Sequence, residues 1–257
     1  MLITYTVESS VAMISFNRPE KYNAFVREMS LELQEALRKA DRDETVRAIL
    51  LTAEGKAFCA GQDLAEAIDP QGPNIRQIVA EHYNPIITLL RTIEKPIVCA
   101  VNGVAAGAGA NVALACDIVV AGKTAAFIQA FSKIGLIPDS GGTFILPRLI
   151  GLQRATALMM LGDKISADEA MQMGMIYKVF EDESLLAEAT KLAITLASLP
   201  TKGLGLTKRL LNLSLTSTLH EQLTNEEVLQ AEAAQSEDHK EGVKAFLEKR
   251  RPVFTGK

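Results

Sequence analysis

The stretch Gly103-Val104-Ala105-Ala106-Gly107-Ala108-Gly109-Ala110-Asn111-Val112-Ala113-Leu114-Ala115-Cys116-Asp117 decides how the rest of the chain is read. An apolar run, Pro96 to Val101, enters it through Asn102-Gly103, and a small-residue, helix-compatible run, Val112 to Ala115, leaves it. The physical reading is a strand, a tight glycine turn and the start of a buried helix. Glycine allows unusual φ and close backbone approach. A helix start presents unpaired N–H groups and a partial positive charge, which can bind an anion or stabilise an oxyanion. Two other readings stay open. The run could serve only close helix packing. It could also be a dinucleotide loop, but Val112 stands where the third glycine of GxGxxG belongs, and no phosphate-loop Lys-Ser/Thr follows.

Working outward, residues 2–7 and 11–16 are short β-type runs separated by Glu8-Ser9-Ser10, a hairpin signal. Asn17-Arg18-Pro19 breaks the second run and a polar loop follows to Ala24. Residues 27–42 have the pattern of an amphipathic helix, and Val46 to Leu51 is apolar enough for a strand buried on both faces. The loop Ala53 to Leu64 holds Gly61, a site for a sharp turn, and reads equally as a ligand loop or a plain turn. Residues 73–94 read as helical. After the central stretch, Ile118 to Ala121 is a strand, and Pro138 ends an extended run ahead of Asp139, which could cap a helix beginning at Ser140. Helical patterns then dominate to the end, interrupted by a β-like Ile176 to Phe180. Strands alternating with helices, then helices alone, predict an α/β core over 1–197 and a helical C-terminal region over 198–257.

Composition narrows the function. A chain of 257 residues with 48% hydrophobic and 23% charged residues is that of a globular protein with a full core. Its net charge of −4, absence of Trp and 5% aromatic content offer nucleic acid neither a basic field nor a stacking platform. Cys59, Cys99 and Cys116, without CxxC or Cys/His spacing, read as buried reduced thiols of a cytoplasmic protein rather than metal ligands. His82, His220 and His239 are isolated in polar helical sequence and read as surface residues. No signal-peptide pattern or membrane span is evident.

Several stretches now combine: Asn17-Arg18-Pro19 with Asn23-Ala24, Phe58 to Leu64, Lys95 to Asp117, Gly135 to Thr143, and Phe246 to Arg250. Together they resemble the crotonase superfamily, the enoyl-CoA hydratase/isomerase group, nearly end to end. The resemblance implies a spiral of ββα units with a helical C-terminal trimerisation region, a homotrimer or dimer of trimers, and an acyl-CoA thioester substrate. It implies an oxyanion hole from the backbone N–H groups of Gln62 and Ala108. By position it assigns CoA-ester contacts to Lys21, Ala24, Ala60, Gln62, Asp63, Leu64, Gly107 and Phe131, and a phosphate contact to Lys249, often across a subunit interface. No metal and no cofactor beyond the CoA of the substrate are expected.

The chain departs from the hydratase pattern. Hydratases of this family use two glutamates, whose places hold Asn111 and Ala130-Phe131 here. One acid appears instead, Asp139, where isomerase and dehalogenase members carry a catalytic carboxylate. Phe131, Ile128, Leu136 and Ile137 are expected to line it and raise its pKa toward that of a proton shuttle. The run Lys133 to Thr143 resembles that of ring 1,2-epoxyphenylacetyl-CoA isomerases. The expected activity is acyl-CoA isomerisation through a thioester enolate. A hydratase in which Asp139 alone activates water, and a non-catalytic acyl-CoA-binding subunit, are the alternatives.

Overall fold

The computed structural model describes residues 1–257. The chain opens with β1 (Ile3–Glu8) and β2 (Val11–Phe16), a hairpin turned by Ser9 and Ser10 at φ 50° and 60°. α1 (Arg27–Arg42) follows, then β3 (Ala48–Ala53) and β4 (Ala57–Cys59). Three helical pieces, α2 (Leu64–Ala67), α3 (Ile75–Gln77) and α4 (Asn84–Thr92), lead to β5 (Ile97–Val101) and β6 (Val104–Ala106). α5 (Ala108–Leu114) precedes β7 (Ile118–Gly122) and β8 (Ala126–Ile128), and a 3-10 turn (Ala130–Ile134) leads to α6 (Gly142–Ile150) and α7 (Leu152–Leu161). β9 (Lys164–Ser166), α8 (Ala167–Gln172), β10 (Lys178–Phe180) and α9 (Leu185–Ala197) complete the α/β part. α10 (Thr201–Ser214), α11 (Leu219–Ala234) and α12 (Glu237–Leu247) end the chain.

The strands divide between two sheets, one ordered β1-β2-β3-β5-β7-β10 and one ordered β4-β6-β8-β9. Consecutive strands go to different sheets: β3 then β4, β5 then β6, β7 then β8, each pair followed by helix. Each ββα unit therefore steps both sheets forward by one strand, the spiral winding that the crotonase resemblance implies. β3 and β5 are buried along their whole length, as a parallel strand covered on both faces must be. Alternate residues serve opposite sides. Leu50, Val98, Ala100 and Val120 meet the Leu185, Ala189, Ala193 and Ala197 stripe of α9. Ile49, Leu51, Ile97 and Cys99 face the main core with the Met29, Leu33 and Leu37 stripe of α1. Both stripes recur every four residues, the spacing of one helix face.

Three readings from sequence need correction. The central stretch does not pass directly from strand to helix, because Val104–Ala106 forms a strand of the second sheet. Three-residue strands such as this one carry too few alternations to be seen in a sequence. The helical run 73–94 is broken: a π turn, Ile78–Tyr83, joins α3 to α4. The wider turn brings Ile78, His82 and Tyr83 all inside. His82 is thus fully buried rather than at the surface, with Nε2 3.4 Å from the Arg27 guanidinium; burial pulls its pKa below the ordinary value. Beyond β4, Gln62 forms a β-bridge to Phe25, and Asp63 caps α2 by accepting from the Ala65 N–H.

Candidate active site

Two loops meet first. Phe25 N–H donates to Gly61 O at 2.7 Å and Asp63 N–H donates to Phe25 O at 2.8 Å, a parallel bridge between Phe25 and Gln62. In that pattern the N–H of Gln62 itself points away from Phe25. Ala60 N–H donates to Tyr22 O at 3.0 Å and Ala24 N–H to Lys21 O at 3.0 Å. The segments 21–25 and 60–63 are therefore one local structure. Arg18 braces it by donating to both Asp63 Oδ2 at 2.7 Å and Ala24 O at 3.0 Å.

The second loop is the Gly107 turn. Gly107 adopts φ 53°, ψ −125° and stands as N-cap of α5. Its N–H is tied to Ile128 O at 2.9 Å. Ala108 follows as the first helical residue, so its N–H lies ahead of the intrahelical ladder. The two loops touch through Gly61: a Cβ built there would lie 3.0 Å from Ala106 O and 3.7 Å from the Ala108 nitrogen. Phe131, nearly fully buried, closes the other side, its ring 3.7 Å from where a Gly107 Cβ would stand.

Tyr83 was not singled out by the sequence, yet it reaches this junction. Its hydroxyl donates to Gln62 Oε1 at 2.7 Å, and Gln62 Nε2 donates to Glu66 Oε2 at 2.9 Å. Edge contacts with Phe25 at 5.6 Å, and of Phe25 with Phe16 at 5.3 Å, fix the ring beneath the donor loop. Burial raises the Tyr83 pKa well above its usual value, and the nearby Cys59, Asp139 and Glu66 add to it.

Asp139 arrives on a tight turn. Ser140 has φ 50° and Gly141 φ 70°, ψ 6°, and Gly142 N–H donates to Asp139 O at 2.9 Å. Positive φ at both central positions is the signature of a type I′ turn. The helix-capping role is excluded: α6 has Gly141 as N-cap, with no side-chain cap. The carboxylate instead accepts the Ser140 hydroxyl proton through Oδ1 at 2.9 Å. Burial raises its pKa, and the Ser140 bond opposes that rise. Leu136 and Ile137, expected to line it, are 43% and 82% exposed.

Asn111 joins the two halves. It lies one turn along α5 from Ala108, and its Nδ2 donates to Asp139 O at 2.9 Å. Its Oδ1 accepts from Gln129 Nε2 at 2.8 Å. The Asp139 carbonyl can only accept, which orients both amides in series. Gly142 must lack a side chain, because a Cβ would come within 2.3 Å of Asn111 Nδ2. The place of one hydratase glutamate is thus filled by an amide whose nitrogen and oxygen are both engaged. Ala130-Phe131, at the other, brings no acid.

Of the residues singled out earlier, Lys21, Ala24, Ala60, Gln62, Asp63, Leu64, Gly107, Ala108, Phe131 and Asp139 belong to these adjoining loops. Lys249 stands apart, exposed at φ 53° beyond α12, a helix that packs on α11.

The sequence of residues 6–257 matches the family model described as enoyl-CoA hydratase/isomerase. The chain belongs to the enoyl-CoA hydratase/isomerase family. It is 50% identical over 254 residues to the 1,2-epoxyphenylacetyl-CoA isomerase of Escherichia coli, covering 98% of this chain and 97% of that one. It is 44% identical to a probable enoyl-CoA hydratase of Rhodobacter capsulatus, over 99% and 98% of the two chains. A solved Mycobacterium abscessus structure of the enoyl-CoA hydratase/isomerase type superposes with a TM-score of 0.94 at 42% identity, over 99% of this chain and 100% of that one. In this family member no helix is long and apolar enough to cross a membrane.

Proposed function

We propose that this chain is an acyl-CoA isomerase in which Asp139 carries a proton from one carbon to another. The Gln62 and Ala108 N–H groups hold the thioester oxygen meanwhile. For a 3-enoyl ester, the C–H bond at C2 breaks, its electron pair moves to the thioester oxygen as a dienolate, and the proton goes to the carboxylate. The same proton then forms a C–H bond at C4 as the double bond settles between C2 and C3. No water enters, so a single carboxylate suffices. Two fixed donors stabilise the developing charge, and loss of one from such a hole costs about 3 kcal/mol of barrier.

The observation that carries this reading is the pairing of one desolvated acid, Asp139, with an amide, Asn111, whose polar atoms are both spent. A hydratase of the two-glutamate pattern needs a second acid–base group there. The identity to an enzyme named 1,2-epoxyphenylacetyl-CoA isomerase supports that ester, with its epoxide-to-oxepin conversion, as a substrate beside 3-enoyl esters. CoA enters as part of the substrate, and proton transfer alone calls for no further cofactor. Lys21, Ala24, Ala60, Asp63, Leu64, Gly107 and Phe131 line its path in this reading. Asp63 contributes by its position, since Arg18 and Ala65 occupy its carboxylate, Phe25 O takes its N–H and Ala67 N–H donates to its carbonyl.

We also infer a homotrimer or dimer of trimers in which Lys249 serves a neighbouring subunit. A groove of about 460 Å³ lined by Val243, Phe246, Leu247 and Phe254 supports this, as does the 81% exposure of Phe246. Sedimentation equilibrium tests it; a monomer at micromolar concentration contradicts it.

A turnover screen over 3-enoyl, 2-enoyl and epoxyphenylacetyl CoA esters, read by mass spectrometry, tests the activity. Isomer formation that disappears in Asp139→Asn while ester binding persists supports it. The name of the Rhodobacter capsulatus relative favours hydration as the second reading. Rapid 3-hydroxybutyryl-CoA formation from crotonyl-CoA would establish that instead. Ester binding without any turnover would indicate a binding subunit.

A further inference from the structure

Ser140 adopts φ 50° as Ser9 does in the β1–β2 hairpin, but it does so in the interior. The left-handed region is disfavoured for a residue with a Cβ. Glycine, present at the next two positions, would avoid that cost. Ser140 is moreover 1% exposed, so the side chain is not there for solvent. Its one polar contact is the hydroxyl bond to Asp139 Oδ1 at 2.9 Å. A strained backbone retained beside a reactive carboxylate points from the outlier to a use.

The two carboxylate oxygens are therefore unequal. Oδ1 accepts the single hydroxyl proton of Ser140. Oδ2 has no side-chain donor, although Asp139 is only half buried. The peptide that carries the carboxyl is also held: Asp139 O accepts both Gly142 N–H and Asn111 Nδ2 at 2.9 Å. Backbone and Oδ1 are thus pinned, the carboxyl also meets its own N–H, and Oδ2 is left without a side-chain donor.

We propose that Ser140 is a positioning residue that commits Asp139 to exchange protons through Oδ2 alone. The inference rests on Asp139 being the proton carrier. In the first half of the reaction the substrate C–H bond breaks and an Oδ2–H bond forms. In the second half that O–H bond breaks and the new C–H bond forms. Throughout, the Ser140 proton stays on its own oxygen and keeps Oδ1 from competing. The same bond favours the carboxylate form, opposing the rise caused by burial.

The test is the pH dependence of kcat/KM in Ser140→Ala and Ser140→Gly, beside Asp139→Asn. The other titratable groups that face this space are Tyr83 from the π turn, Cys59 from β4 and Glu66 from α2. Burial pushes Cys59 up to about 12 and Tyr83 well above its usual value, so both stay neutral over the assay range. Glu66 is held by Gln62 Nε2 and the Arg27 N–H in wild type and variants alike. Asn111 and Gln129 do not titrate.

Both serine variants should move the acid limb of the profile to higher pH by about one unit, the worth of one hydrogen bond to a charged group. Ser140→Gly should unfold at a higher temperature than Ser140→Ala, because glycine relieves the φ strain and folds readily. A role confined to holding the turn would instead leave the limb in place and separate the variants by rate. An unmoved limb in both, with Asp139→Asn inactive, overturns this inference and leaves the proposed function standing. An active Asp139→Asn overturns both.

Discussion

The donor side of the site and its acid side are made of different material. In the proposed reaction Gln62 and Ala108 contribute backbone N–H groups, set by a β-bridge to Phe25 and by the first turn of α5. Asp139 contributes a side chain, and three more side chains, Ser140, Asn111 and Gln129, arrange it. Backbone donors tolerate exchange of the residue that bears them, provided the main chain keeps its course. A side-chain acid depends on its own atoms and on every neighbour that aims it. Turnover should therefore respond to substitution very differently on the two sides.

The largest effect is expected on the acid side. Asp139→Asn keeps the volume and loses the proposed proton carrier, so isomerase turnover should fall by about a thousandfold, within the usual reach of general acid–base catalysis. CoA-ester affinity by calorimetry should stay within a few fold. On the donor side only a change to the backbone should approach this. Ala108→Pro removes the N–H at a helix position where proline is well accepted. It should lower turnover by about a hundredfold or more through the lost donor, with little change in unfolding temperature. Turnover near wild type in that variant would show that one donor suffices.

The same contrast governs what could be read in the sequence. The donor side left its mark as Gly61 and Gly107, because a backbone that bends sharply selects glycine locally. Asp139 stood out as an acid among apolar residues, but its neighbours did not. Gln129 and Asp139 lie 18 and 28 positions from Asn111 and meet it only through the packing of α5 against the segments that follow β8 and precede α6. Tyr83 reaches Gln62 because a π turn rotates it inward, and no periodicity announces a π turn. The alternating two-sheet winding was likewise hidden by three-residue strands, while the hairpin, α1 and the C-terminal helices carried their patterns openly.

A mid-sized effect should separate the clamp from the acid it holds. Asn111→Ala leaves the Gln129 amide without its acceptor in a buried setting, which costs about 1–3 kcal/mol of stability. Turnover should drop by about tenfold, as the Asp139 peptide loses one of its two holds. Unchanged turnover with lowered stability would reduce Asn111 to a packing residue.

The smallest effect on rate makes the sharpest comparison, because stability should move in opposite directions on the two sides. Gln62→Met keeps the N–H donor and the side-chain length but strands the buried Tyr83 hydroxyl. Stability should fall by about 1–3 kcal/mol while turnover stays within a few fold. For Asp139 the sign reverses. Its pKa is raised in the folded state, so the folded form binds the proton more tightly than the unfolded chain. The stability this provides is complete below the ordinary value of 3.8 and is lost as pH rises through the folded pKa. At neutral pH the ionised carboxylate is therefore a burden, and Asp139→Asn should melt above wild type at pH 7, with the difference vanishing below about pH 4. Thermal unfolding at the two pH values checks both variants. A Gln62→Met protein that lost turnover as steeply as Asp139→Asn would mean that the donor side, too, depends on its side chain.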